Sequence, residues 1–149
     1  MDHEITSLDA MRFVGLTIHC KDGDPSAIGA LWDQLFKLGH LQESLGYWGV
    51  SWGDGVGGFH YLCGHHVPAE LPTPDGMAEH SIKPAHYAKF FFQGEPSHMA
   101  KMFGEIFEKH MPSAGLKPAP GGACLEFYAP DCMDEATHTI KADLYVAVE

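Results

Sequence analysis

At 149 residues and 45% hydrophobic, the chain can bury the core of a single domain. Lysine and arginine number 9 against 20 aspartates and glutamates, a formal net charge of −11 that repels phosphate backbones and argues against direct nucleic-acid binding. Four cysteines without a CxxC pair, no basic-then-apolar leader and no apolar run near about 18 residues give the expectation of a reduced, cytoplasmic protein with no membrane partner.

Residues 13–20 alternate Val14, Leu16 and Ile18 with smaller or polar neighbours, the period of a half-buried strand. Asp22-Gly23-Asp24-Pro25 breaks it. From residue 25 or 26 to about 38, Ile28, Leu31, Trp32, Leu35 and Phe36 fall at helical spacing, with Asp24 or Ser26 as candidate N-cap and Gly39 as a stop. Residues 47–52 and 58–63 flank the turn-rich Gly53-Asp54-Gly55-Val56-Gly57 and read as a hairpin. The proline-rich stretch 68–76 is a surface connection to a short element near 77–82. Residues 86–92 form a further strand, 97–110 a helix, and 124–128 and 140–148 the last two strands.

The second set of elements repeats the first. Gly23-Asp24-Pro25-Ser26 returns 71 residues later as Gly94-Glu95-Pro96-Ser97, and at that offset Ile28, Leu31, Trp32, Leu35 and Phe36 fall on Met99, Met102, Phe103, Ile106 and Phe107. One domain, 1–149, is therefore expected to consist of two repeats, about 11–67 and 82–149. The fold class is α+β: two strand-helix-strand-strand modules in a pseudo-twofold arrangement, an antiparallel sheet with helices on one face and a ligand groove on the other.

Alternation assigns faces. In Leu125-Glu126-Phe127-Tyr128 the apolar pair is the better candidate for the helix-packed face, which leaves Glu126 and Tyr128 for the groove. Leu144, Val146 and Val148 make an apolar row that leaves Tyr145 on the opposite face. Trp48 and Trp52, four apart on one strand, share a face and are candidate groove walls, as is Tyr61; Trp32 belongs to the helix stripe and is assigned to the core. The facing of 86–92 is unresolved by pattern. A carboxylate among tyrosine and tryptophan rings suits an organic cation, each cation–π contact contributing about 0.5–2 kcal/mol. Cys63-Gly64-His65-His66 is dense in metal-binding types but lacks the spacing that completes a zinc site, and the nucleophile-elbow, Walker and dinucleotide-binding patterns are missing, so neither metal nor cofactor is expected.

An ordered series now points to a family. Pro74-Asp75-Gly76, Ile82-Lys83-Pro84-Ala85-His86-Tyr87-Ala88, Gly94-Glu95-Pro96, residues 107–115, Leu125-Glu126-Phe127-Tyr128 and Ala142-Asp143-Leu144-Tyr145-Val146 resemble, in order, the pattern of the GyrI-like small-molecule-binding domain, also the effector-binding domain of bacterial multidrug-responsive transcription activators. The resemblance implies the two-module fold with a groove between modules. It implies that Glu126 is the buried glutamate of the family's Phe-Glu-x-Tyr motif, with Leu125 in place of phenylalanine, and that Tyr128 and Tyr145 line the groove. The first half departs from the pattern, carrying His19-Cys20-Lys21-Asp22-Gly23-Asp24-Pro25 where members often have His-x-Gly-Pro-Tyr. Regulators of this kind carry a DNA-reading segment ahead of the domain, and the short stretch before the first strand here gives the expectation of a stand-alone module. Three functions then stand open: a binder of cationic, amphipathic or aromatic small molecules; a hydrolase of electrophilic DNA-alkylating compounds using the same glutamate; and a gyrase-interacting inhibitor protein. A regulator protein, gyrase and a second copy are the macromolecular partners left open.

Overall fold

The computed structural model describes residues 2–38 and 46–149. Its architecture is set by two long strands, each broken once. Strand β1 (Glu4–Leu8) is followed after two residues by β2 (Met11–Cys20), and β5 (Ala78–Ile82) after two residues by β6 (Ala85–Gly94). Pairing runs from Glu4↔Lys89 to Leu8↔Ala85, resumes at Met11↔Ile82 and continues to Gly15↔Ala78 without losing register across the break. Pro84 lies at that break, where a residue without a backbone N–H does least harm to a ladder.

The remaining strands are β3 (Tyr47–Gly53), β4 (Phe59–Val67), β7 (Cys124–Tyr128), β8 (Met133–Asp134) and β9 (Thr139–Val148). All pairing is antiparallel, in the order β1-β6-β9-β7-β3-β4-β2-β5, with β8 on β9. The two ends of this path are joined by two-residue links, so the sheet must curl back on itself. Its inner face is a core of its own, built from Phe13, Val50, Leu62, Tyr87, Leu125, Tyr145 and Ala147.

Both helices lie on the outer face. Helix α1 (Ile28–Lys37) buries Leu31 and Leu35 against Tyr61 and Cys63 of β4, each leucine stabilising by about 1.5–3 kcal/mol. It begins later than the sequence pattern indicated: the Asp24 carboxylate accepts from the Ser26 N–H at 3.0 Å in a turn of its own, and the helix N-cap is Ala27. The expected stop at Gly39 lies outside the described residues. Helix α2 (Met99–Glu105) continues through a π-helical stretch, Ile106–His110, to a last turn at Met111–Ser113. The wide stretch leads into Pro112, which has no N–H for the α-helical ladder. Ile106 and Met111 bury themselves on Phe90, Leu144 and Val146. The chain thus has the α+β fold expected, a mostly antiparallel sheet carrying two helices on one face, and no helix among the described residues is long and apolar enough to cross a membrane.

Register corrects one facing. Glu126 pairs with Gly49 and with Leu144, and Leu125 with Val50 and Tyr145, and directly opposed residues share a face. Since Leu144 packs on α2, Glu126 and Tyr128 point toward the helices, and Leu125 and Phe127 point into the curl. The apolar pair did mark a buried face, but the curled sheet supplies that burial without a helix. The unresolved strand is resolved as well: Ala88, Phe90 and Phe92 face α2, and Tyr87 faces the inner core. The segment β1 and the short β8 were not read from the sequence, being polar or only two residues long.

Candidate functional site

Glu126 sits in the middle of β7, on the helix-bearing face, the residue 9% exposed. The Tyr128 hydroxyl donates to its Oε1 at 2.6 Å and the Tyr61 hydroxyl to the same oxygen at 3.2 Å. The Trp32 indole N–H in turn donates to the Tyr61 oxygen at 3.1 Å. Tyr61 can reach the carboxylate only because position 49, across the ladder from Glu126, has no side chain. A Cβ there would overlap the Tyr61 hydroxyl oxygen and lie 3.1 Å from the Glu126 Cδ.

Rings close the site. Trp32 meets Tyr128 edge-on with centroids 5.5 Å apart and Tyr47 at 6.2 Å, and the half-exposed Phe36 lies 5.9 Å from Trp32 and 5.4 Å from Tyr47. No lysine, arginine or histidine forms an ion pair with Glu126 among the described residues. Burial raises the Glu126 carboxyl above its usual range, and the hydrogen bonds from Tyr128 and Tyr61 oppose that rise. Burial and then the neighbouring carboxylate push the Tyr61 and Tyr128 phenols well up. The Cys63 and Cys124 thiols beside them are pushed up to about 12, chiefly by burial. The arrangement is a hydrogen-bonded acid beside aromatic rings, with no cation supplied to it among the described residues.

The structure therefore brings together three of the sequence-derived candidates, Glu126, Tyr128 and Tyr61, and separates the other three from them. Trp48 lies on the inner face, 4.7 Å from Phe127 and stacked on Tyr145 at 6.1 Å. Tyr145 has a cation already: Lys89 Nζ stands 5.7 Å from its ring centre, held by Glu4 at 3.5 Å. Trp52 is likewise on the inner side, stacked on His80 at 3.6 Å and 4°. Trp48 and Trp52 do share a face, as expected, but it is the face turned away from Glu126. Outside the sequence-derived candidates, Trp32 packs on the core as expected while donating to Tyr61, and Phe36, Tyr47 and Gly49 stand around it and Glu126. Two signals could have found them: an indole on a buried stripe needs a partner for its N–H, and a lone glycine inside a strand marks a close approach.

A cleft of about 600 Å³ is lined by Pro96, Met133, Asp134 and Ile140, and one of about 180 Å³ by Phe91, Phe127 and Asp143. Neither includes Glu126. The rings of Trp32, Tyr61 and Tyr128 stand beside the carboxylate.

The sequence matches the family model of the GyrI-like small molecule binding domain over residues 1–149. It is 27% identical over 125 residues to the transcriptional regulator BrlR of Pseudomonas aeruginosa, a match that takes in 81% of this chain and 46% of BrlR, so the chain spans about half the length of that relative. The fold is shared with SAV2435 bound to tetraphenylphosphonium, with a TM-score of 0.79 at 15% identity over 100% of this chain and 94% of that one. It is also shared with a hydrolase from Listeria innocua, with a TM-score of 0.56 at 14% identity over 99% and 91% of the two chains.

Proposed function

The chain belongs to the GyrI-like small molecule binding domain family, and from that premise we propose that it binds lipophilic organic cations, with Glu126 as their charge partner. One observation carries the reading: a buried carboxyl bonded by Tyr61 and Tyr128, with Trp32 and Tyr47 packed beyond them and no cation paired to it among the described residues. An ionised carboxylate in such a place is costly unless a positive charge joins it. An aromatic cation supplies that charge, and the ring faces add about 0.5–2 kcal/mol each when desolvated. The tetraphenylphosphonium held by SAV2435 is a cation of this class, which supports the reading. Trp48, Trp52 and Tyr145 take no part in it.

Tetraphenylphosphonium is the probe, followed by calorimetry and thermal shift. Glu126→Gln keeps the shape of the side chain and removes its charge, and is expected to weaken the cation by about 1.5–3 kcal/mol, the range of hydrogen bonds and contacts to charged groups. Equal affinity for both proteins would overturn the assignment of Glu126. A second reading, hydrolysis of an electrophilic ring, is favoured by the 2.6 Å Tyr128–Glu126 pair, which could share a proton with a leaving oxygen or nitrogen. It is separated from binding by recovery of the compound: intact after many equivalents for a binder, consumed for a hydrolase.

A further inference from the structure

Resting on that reading, we propose that the site exchanges a proton for its ligand: the empty site holds Glu126 as the neutral acid, and a permanent cation enters as that proton leaves to solvent. In the ligand-free protein the carboxyl has two phenolic donors and is otherwise buried, and burying an unpaired charge there is far more costly than burying an acid. When the cation arrives, the neutral arrangement is carboxylate plus cation. In both states the buried site carries no net charge. The O–H bond of the carboxyl breaks, the electron pair stays on the carboxylate, and the proton passes to buffer.

The groups facing Glu126 make this a one-proton exchange. From β4 come Tyr61 and Cys63, and from β7 Tyr128 and Cys124, all held protonated by burial through the range in which a carboxyl titrates. Helix α1 contributes Trp32 and β9 contributes Leu144, neither of which titrates, and β3 contributes Gly49 and, beside Tyr128, the Tyr47 phenol. Further along the same face His65 packs against Tyr47, its Nδ1–H donating to the Gly46 carbonyl oxygen at 2.8 Å. Burial raises the carboxyl, in the direction of the acid form, and the hydrogen bonds from Tyr128 and Tyr61 oppose that rise.

The exchange has a substrate-class consequence. A permanent cation such as tetraphenylphosphonium releases one proton per molecule bound. A weakly basic amine entering as the free base takes up the carboxyl proton itself and releases none.

The test counts protons. Tetraphenylphosphonium is titrated into the whole chain by calorimetry in buffers of different ionisation enthalpy, across the range from about pH 5 to about pH 9. Below the carboxyl's midpoint the expectation is one proton released per cation and a dissociation constant that rises about tenfold for each unit of falling pH, with both effects vanishing above it. Glu126→Gln is expected to lose the release, which distinguishes Glu126 from His65. Infrared difference spectra of the ligand-free protein against Glu126→Gln are expected to show the band of a buried neutral carboxylic acid. Binding without proton release, release that persists in Glu126→Gln, or an ionised carboxyl in the ligand-free protein overturns the exchange and leaves the binding function standing. No binding of the cation at any pH overturns both.

Discussion

Position 49 shows how a missing side chain can build a site. Gly49 and Glu126 pair across β3 and β7, near the middle of both strands, so one half of the molecule contributes a carboxyl where the other contributes nothing. That asymmetry lets the Tyr61 ring lie over the ladder and place its hydroxyl on the acid. The Gly49 backbone is not in the left-handed region, so its requirement is steric and not conformational. Gly49→Ala is therefore expected to destabilise the fold by about 1–3 kcal/mol through overpacking, read as a lower denaturant midpoint. Tyr61 would be forced off the carboxyl in the same variant. An unchanged midpoint would mean that Tyr61 does not occupy the space above Gly49.

At the scale of elements, the decisive fact is that both faces of the sheet are buried. Alternation in Leu125-Glu126-Phe127-Tyr128 separated the two pairs correctly, but a rule that gives the apolar pair to the helices has no term for a sheet that curls onto itself. Glu126 consequently lies on the helix-bearing face, and Trp32, which packs on the core as read, also donates to Tyr61 beside the carboxyl. This shifts the expected optical signal. Binding at Glu126 should change tryptophan emission through Trp32, so Trp32→Phe is expected to remove most of the ligand-induced change, whereas Trp48→Phe and Trp52→Phe retain it. The reverse pattern in fluorescence titrations would put the ligand inside the curl. What was legible follows from the same physics. The strands, both helices and the family motif around Glu126 were visible because each depends on short-range periodicity or fixed spacing. The cluster of Tyr61, Trp32 and Gly49 around Glu126 was not, because it depends on cross-strand register over tens of residues, which no local pattern encodes. The bend that ties β1 to β2 and β5 to β6 has the same character: its constant register is evident only when the two strands are laid side by side.

For the molecule as a whole, a formal charge of −11 accompanies a buried carboxyl. Such a surface raises the local concentration of small cations near it, and this attraction acts on approach, before contact. It is screened by salt, the Debye length falling from about 30 Å at 0.01 M to about 8 Å at 0.15 M. Once the cation is inside, the carboxylate and the ring faces hold it at contact distance in a dry environment, where screening is weak. The two stages should respond differently to ionic strength. In stopped-flow measurements with tetraphenylphosphonium, at concentrations where the observed rate is still proportional to ligand, the association rate constant is expected to fall several-fold from about 0.01 M to about 0.5 M salt, near the low end of electrostatic steering. The dissociation rate constant should stay nearly constant. A salt effect confined to dissociation would place the bound cation in contact with solvent ions at the surface, and the buried carboxyl would then not be its partner.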